Sequence, residues 1–302
     1  MKEKTKAVLF ILCAGFCFSW MGAFVRLSGD LPSMEKSFFR NLVAAVIAGV
    51  LLWRSGEGFH LQTKNLPWFL LRSICGTVGI LGNFYAVDHL VLSNASMLNK
   101  MSPFFVLLFS WLILKEKLTK TQAGLVLLAF AGSLFIIKPT VTNLDLIPSL
   151  AGLAGGIGAG AAYTFVRMLG LKGEKGTVIV LFFSTFSCLS LLPWVVTHFV
   201  PLTTAQLLCL LGAGLSAAGG QFSITAAYTH APAREVSIFD YSQILFSAAI
   251  GYLLFLDLPD GWSFLGYVLI IAAALGMFCY NNRSSTADPT RGSAPGPRRG
   301  KL

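Results

Sequence analysis

Phe24-Val25-Arg26 recurs further along the chain as Phe165-Val166-Arg167. Without a gap, the same offset sets Trp53 on Trp194, Gly79 on Gly220, Ala86 on Ala227, His89 on His230, Ser96 on Ser237 and Phe105 on Phe246. It also sets Glu116 on Asp257, one acid on another. Leucine matches carry little weight in so leucine-rich a chain, so these rarer residues carry the argument. The step from one copy to the other crosses an odd number of apolar runs. The second half must therefore enter a bilayer in the orientation opposite to the first. An inverted repeat gives one chain two mirror-related shapes, the usual physical basis of alternating access. The expected fold class is all-α integral membrane, with about ten transmembrane helices in two inverted five-helix repeats.

Composition supports this reading. The 302 residues are 55% hydrophobic and 12% charged, with mean hydropathy +0.71, too apolar for a water-soluble surface. A net charge of +10 would suit a nucleic-acid partner. However, the basic residues form short clusters between apolar runs and in the tail, where they act as topology signals. No nucleic acid is expected, and the partners expected are a small-molecule substrate, the lipid bilayer and protons, with the chain a monomer or homodimer.

No cofactor or metal is expected, and no catalytic set stands out. Cys13, Cys17, Cys75, Cys188, Cys209 and Cys279 lie inside apolar runs, with no CxxC and no neighbouring His. The glycine-rich stretch 155–160 has no strand before it and no basic phosphate partner, so it reads as helix packing. His60, His89, His198 and His230 are dispersed in loops, which disfavours an integral membrane enzyme. The start of the chain imitates a signal peptide, but Trp20, Met21 and Phe24 are bulky where cleavage needs small residues. It reads as a retained first span.

Runs long enough to cross a bilayer fall at 7–27, 34–53, 67–87, 93–114, 121–138, 149–168, 177–197, 205–228, 234–256 and 262–280. The organisation expected is a cytoplasmic N-terminus 1–6, a first repeat 7–138, a second repeat 149–280 and a disordered basic cytoplasmic tail 284–302. Lys2, Lys4, Lys6, Arg54, Lys64, Arg72, Lys115, Lys117, Lys120, Lys172, Lys175, Arg234 and the tail fall on one set of loops. The opposite set has Arg26, Lys36 and Lys138, while Asp88–His89, 198–201 and 257–260 carry no Lys or Arg. By this asymmetry both termini are cytoplasmic, in a multi-pass cell (inner or plasma) membrane protein.

Ionisable groups inside spans are costly and point to function. Arg40 lies about six residues into the second span, roughly 9 Å deep at ~1.5 Å per residue, though a helix-start position also suits a structural anchor. Lys100 falls near the middle of the fourth span, where Pro103 frees backbone carbonyls for a cavity. Lys100, Pro103, Leu107 and Trp111 share a helical face. Asp240-Tyr241 are the repeat counterparts of Asn99-Lys100. The candidate substrate-binding residues are Lys100, Arg40, Asn99, Trp20, Asn83, Tyr163, Gln221, Ser237 and Tyr241, with Asp240 the candidate for proton coupling.

The stretches Phe84-Tyr85-Ala86-Val87-Asp88-His89-Leu90, Asn94-Ala95-Ser96-Met97-Leu98-Asn99-Lys100-Met101-Ser102-Pro103-Phe104 and Leu114-Lys115-Glu116-Lys117-Leu118-Thr119, with Gly124, resemble the EamA branch of the drug/metabolite transporter superfamily. The resemblance covers essentially 7–280. It implies ten helices in two inverted five-helix repeats around a central cavity lined by spans one to four and six to nine. It also implies transport of a metabolite, with export the commoner direction. The second half departs from the pattern, with Ile244 where the first half has Pro103 and Leu256-Asp257-Leu258-Pro259 where it has Lys115-Glu116-Lys117-Leu118. The function expected is a secondary transporter of a small polar metabolite, an amino acid or related zwitterion or organic anion, working by alternating access. A lipid-acting membrane enzyme and a membrane structural or assembly protein are the alternatives.

Overall fold

The computed structural model describes residues 3–56, 58–89, 98–137, 146–256 and 261–287. Asn94, Ser96, Lys138, the connection 257–260 with its acid Asp257, and the tail beyond 287 lie outside the described residues. The chain is helical throughout, with no strand among the described residues. The helices are α1 (Glu3–Leu27), α2 (Ser33–Arg54), α3 (Leu66–His89), α4 (Ser102–Leu114), α5 (Lys120–Ile137), α6 (Leu146–Leu171), α7 (Gly176–His198), α8 (Thr204–His230), α9 (Ala233–Val236), α10 (Ser242–Phe255) and α11 (Gly261–Ala287). A 3-10 turn, Ser237–Tyr241, joins α9 to α10, and together they form the ninth span, Ala233–Phe255. Among the described residues, eight helical stretches are long and apolar enough to cross a membrane, and α4 and α5 add two shorter apolar ones. This is an all-α membrane fold of about ten helices.

Helix packing repeats at a step of five spans. α3 packs on α6, and its counterpart α8 packs on α1. Likewise α4 packs on α6 as α10 packs on α1, while α2 packs on its own counterpart α7, and α5 on α11. Lys115 and Leu256, the non-glycine residues with positive φ among the described residues (54° and 55°), end α4 and α10 in the left-handed conformation and are repeat counterparts of one another. A left-handed cap on a lysine or leucine costs energy that a glycine would avoid. The geometry is therefore kept across the repeat although the residue is not. Close approaches repeat too: a Cβ on Gly15 would sit 2.9 Å from Ser242 Oγ, and one on Gly156 would sit 2.6 Å from the Leu98 carbonyl.

Three boundaries differ from the sequence reading. First, the fourth span breaks at the turn of Lys100 and Met101, between helical Leu98–Asn99 and α4, which begins at Ser102 with Pro103 in its first turn, where its missing N–H costs nothing. Lys100 accordingly sits in the turn ahead of α4. The matching break in the ninth span is the 3-10 turn, made without a proline. Second, α1 starts at Glu3, within the expected tail 1–6, where Lys6 bonds Glu3 at 2.9 Å and Lys4 reaches Glu235 at 3.0 Å. Third, α11 continues to Ala287, so Ser284–Ala287 are helical where disorder is expected from the composition. Adding a residue to an existing helix needs no new nucleation.

Candidate functional site

A cavity of about 250 Å³ lies where the two halves meet. That equals roughly eight waters at about 30 Å³ each, room for a small metabolite. Its lining includes three pairs of repeat counterparts: Phe18 and Ala159, Met21 and Ala162, Ile80 and Gln221. The cavity therefore sits on the pseudo-two-fold of the repeat. α3 and α6 can form one wall because Gly79, Gly82, Gly155 and Gly158 bring backbone against backbone: a Cβ on Gly155 would lie 2.8 Å from Asn83 N.

The polar lining is unequal. Arg40 from α2, Arg72 from α3 and Lys100 ahead of α4 all come from the first half, whereas Gln221 and Gln243 come from the second. Lys100 Nζ donates to Gln243 Oε1 at 2.8 Å and lies 3.8 Å from Asp240 Oδ2. Tyr241, the repeat counterpart of Lys100, donates its hydroxyl to the Lys100 carbonyl at 3.0 Å. Arg72 is 2% exposed, donates to Gln221 Oε1 at 3.3 Å and stacks on the Phe183 ring at 3.9 Å. Arg40 is 8% exposed, and its side chain makes no hydrogen bond or ion pair among the described residues. Among the described residues, three buried cations thus face one nearby carboxylate, and that carboxylate is already beside Lys100.

Of the residues singled out in the sequence, Arg40, Asn83, Asn99, Lys100, Tyr163 and Gln221 line the cavity. Four do not. Trp20 stacks between Phe16 and Phe24 outside it, and Ser237 is fully buried in the 3-10 turn. Tyr241 is fully buried behind Lys100, and Asp240 lies 3.8 Å from Lys100 without lining the cavity itself. Trp111, 55% exposed, points away from the cavity although it shares a helical stripe with Lys100 in the sequence. Arg72, Phe84, Phe183 and Gln243 were missed. Arg72 reads as a loop charge in the basic-residue pattern, yet it lies six residues into α3. Its depth in α3 is close to that of Arg40 in α2.

Polar contacts between the halves gather at the end that carries 3–6, 54–66, 114–120, 171–176, 230–236 and the end of α11. Glu116 receives Arg167 Nε at 3.2 Å with one oxygen and Ala233 N at 3.2 Å with the other. Within the second half Arg167 also donates to the carbonyls of Tyr228 and Thr229, and Arg234 donates across to the carbonyl of Lys117. Asn65 donates to Glu174 at 2.6 Å, and Gln122 to Asn281 at 3.1 Å. Toward the opposite end, the described contacts between the halves include Val200 N to Glu35 at 3.3 Å, Cys188 Sγ to the Phe38 carbonyl at 3.8 Å and the Arg26 guanidinium over the Phe255 ring at 4.0 Å.

Comparison with known proteins agrees with this architecture. A model of the EamA-like transporter family matches residues 5–138. The pseudopaline exporter CntI of Pseudomonas aeruginosa is 32% identical over 272 residues, covering 89% of this chain and 95% of that one. The riboflavin transporter of Vibrio cholerae is 27% identical, covering 88% and 90%. Solute carrier family 35 member G1 of Homo sapiens is 25% identical, covering 89% and 78%. A solved crystal structure superposes with a TM-score of 0.82 at 15% identity over 93% of this chain and 99% of that one, which speaks for the fold alone. These named relatives are transporters, not enzymes, and act on small molecules across membranes. With its repeated helix packing and a cavity between the halves, this multi-pass membrane protein belongs to the EamA-like transporter family.

Proposed function

We propose that this chain is a secondary transporter that exports a small organic anion across the cell membrane by alternating access between its two repeats. The observation that carries the reading is the charge of the cavity: Arg40, Arg72 and Lys100 line it, and Asp240 is the acid beside them. Buried charge without a counter-charge is costly and is kept where function uses it. The export direction follows the Pseudomonas exporters, which span nearly the whole chain. With the Lys- and Arg-rich end in the cytoplasm, the ties around Glu116 and Arg167 hold the cytoplasmic ends of the two halves together. Asp240 beside Lys100 is the proposed proton-coupling pair: protonating Asp240 would free the ammonium for the substrate or for a new partner.

The test is counterflow in proteoliposomes preloaded with organic anions, zwitterions or organic cations. Anion exchange above protein-free vesicles is expected. Exchange confined to cations would overturn the anion assignment, and a conductance that does not saturate would overturn the carrier.

A further inference from the structure

We propose that the substrate is an organic dianion and that Arg40 and Arg72, rather than Lys100, form the subsite that holds it. This rests on the anion-carrier reading and narrows it. Lys100 already has Gln243 at 2.8 Å and Asp240 at 3.8 Å, so its charge is answered within the protein. The two guanidiniums are not answered. Arg72 has a neutral amide and a phenyl ring as partners, and its Nε has none. Arg40 has no side-chain hydrogen bond to any described residue, and its Nε is likewise buried without a partner.

Both residues are more than nine-tenths buried, and both line the same cavity. Arginine stays protonated in such a setting and presents a planar fork suited to carboxylate or phosphate oxygens. Lys100 and Asp240 cancel, which leaves two positive charges among the described residues of the cavity. One singly charged guest would leave a guanidinium unpaired, whereas a guest with two negative charges neutralises both. Neither position has a charged counterpart in the other half, because Arg40 falls on Leu181 and Arg72 on Ala213. The repeat alone therefore does not account for them. The amides of Asn83, Asn99 and Gln221 supply neutral hydrogen-bonding groups for the rest of the molecule.

The experiment is ligand-dependent thermal unfolding of the purified full chain, in which a bound ligand raises the melting temperature by mass action. The probes are malonate, succinate and glutarate, with both charges on separate carboxylates, and glycerol phosphate, with both on one group. Acetate and butyrate at matched ionic strength are the monoanions. At least one dianion is expected to bind about tenfold or more tightly than either monoanion. Arg40→Met and Arg72→Met should each erase that preference, and Arg54→Gln, at an exposed helix end, should keep it. If Arg40 is present for binding and not for anchoring, Arg40→Met without ligand should melt no lower than the parent. Arg40→Lys covers the case in which the methionine variant fails to fold, and it should weaken the preference while retaining monoanion binding. Monoanions binding as tightly as every dianion would overturn the dianion claim yet leave an anion carrier standing. An undiminished preference in both methionine variants would overturn the subsite. Binding of cations alone would bring down the carrier's anion assignment as well.

Discussion

Lys100 is the residue at which the two halves meet. Its ammonium reaches Gln243 and Asp240, and its carbonyl accepts the hydroxyl of its own repeat counterpart, Tyr241. If Asp240 carries the coupling proton, Asp240→Asn should abolish accumulation driven by a pH gradient while retaining exchange of substrate for substrate. Comparing the two assays on one preparation checks this, and pH-driven accumulation that survives Asp240→Asn would remove the role. The same change leaves Lys100 without its acid, so stability should fall by roughly 3–5 kcal/mol, the usual cost of breaking a buried pair. Adding Lys100→Met should recover most of that loss, since the pair then interacts as a unit. The sequence made Arg40 and Lys100 legible because their depth in apolar runs is a one-dimensional property. Arg72 was hidden for a physical reason: near the end of a span, a basic residue that snorkels and one that turns inward leave the same pattern.

Among the elements, α3 and α6 carry the close packing, and their glycines decide how near the cavity walls stand. A methyl group on Gly155 or Gly158 would press on backbone, 2.8 Å from Asn83 N and 2.7 Å from the Cys75 carbonyl. Gly155→Ala and Gly158→Ala should therefore each cost about 1–3 kcal/mol, as overpacking usually does. Gly22 and Gly124 have open space around the added carbon. Gly22→Ala and Gly124→Ala should be neutral or stabilise by up to about 1 kcal/mol through helix propensity. Thermal unfolding of the four variants checks this, and equal effects at all four would show that the close contacts do not bear load. Hydropathy made most span boundaries readable to within a few residues. It did not place the breaks in the fourth and ninth spans. Pro103 marks the region, but the break falls at Lys100 and Met101, and the proline itself sits in the first turn of the helix that follows. The 3-10 turn at Ser237–Tyr241 has no proline or glycine to announce it.

For the whole molecule, the single offset between the halves was the most informative feature of the sequence. It reappears in the packing of α3 on α6 and α8 on α1, in the left-handed caps at Lys115 and Leu256, and in the paired cavity residues. Which end is tied shut could not be read from the sequence, because Glu116, Arg167 and Ala233 come together only in the fold. Glu116→Gln weakens that tie without changing its shape, so it should move the population toward the form open at the basic end. Faster labelling of a cysteine at Gln221 from that side would report the shift, and unchanged labelling would deny Glu116 a gating role. Alternating access itself is tested most directly by spin-label distances measured at both ends of one protein in bilayers. One pair is Lys120 with Lys172 at the basic end, and the other is Asp30 with Thr204 at the opposite end. As substrate and pH are varied, one distance should lengthen while the other shortens. Two distances that stay fixed, or that lengthen together, would contradict the account.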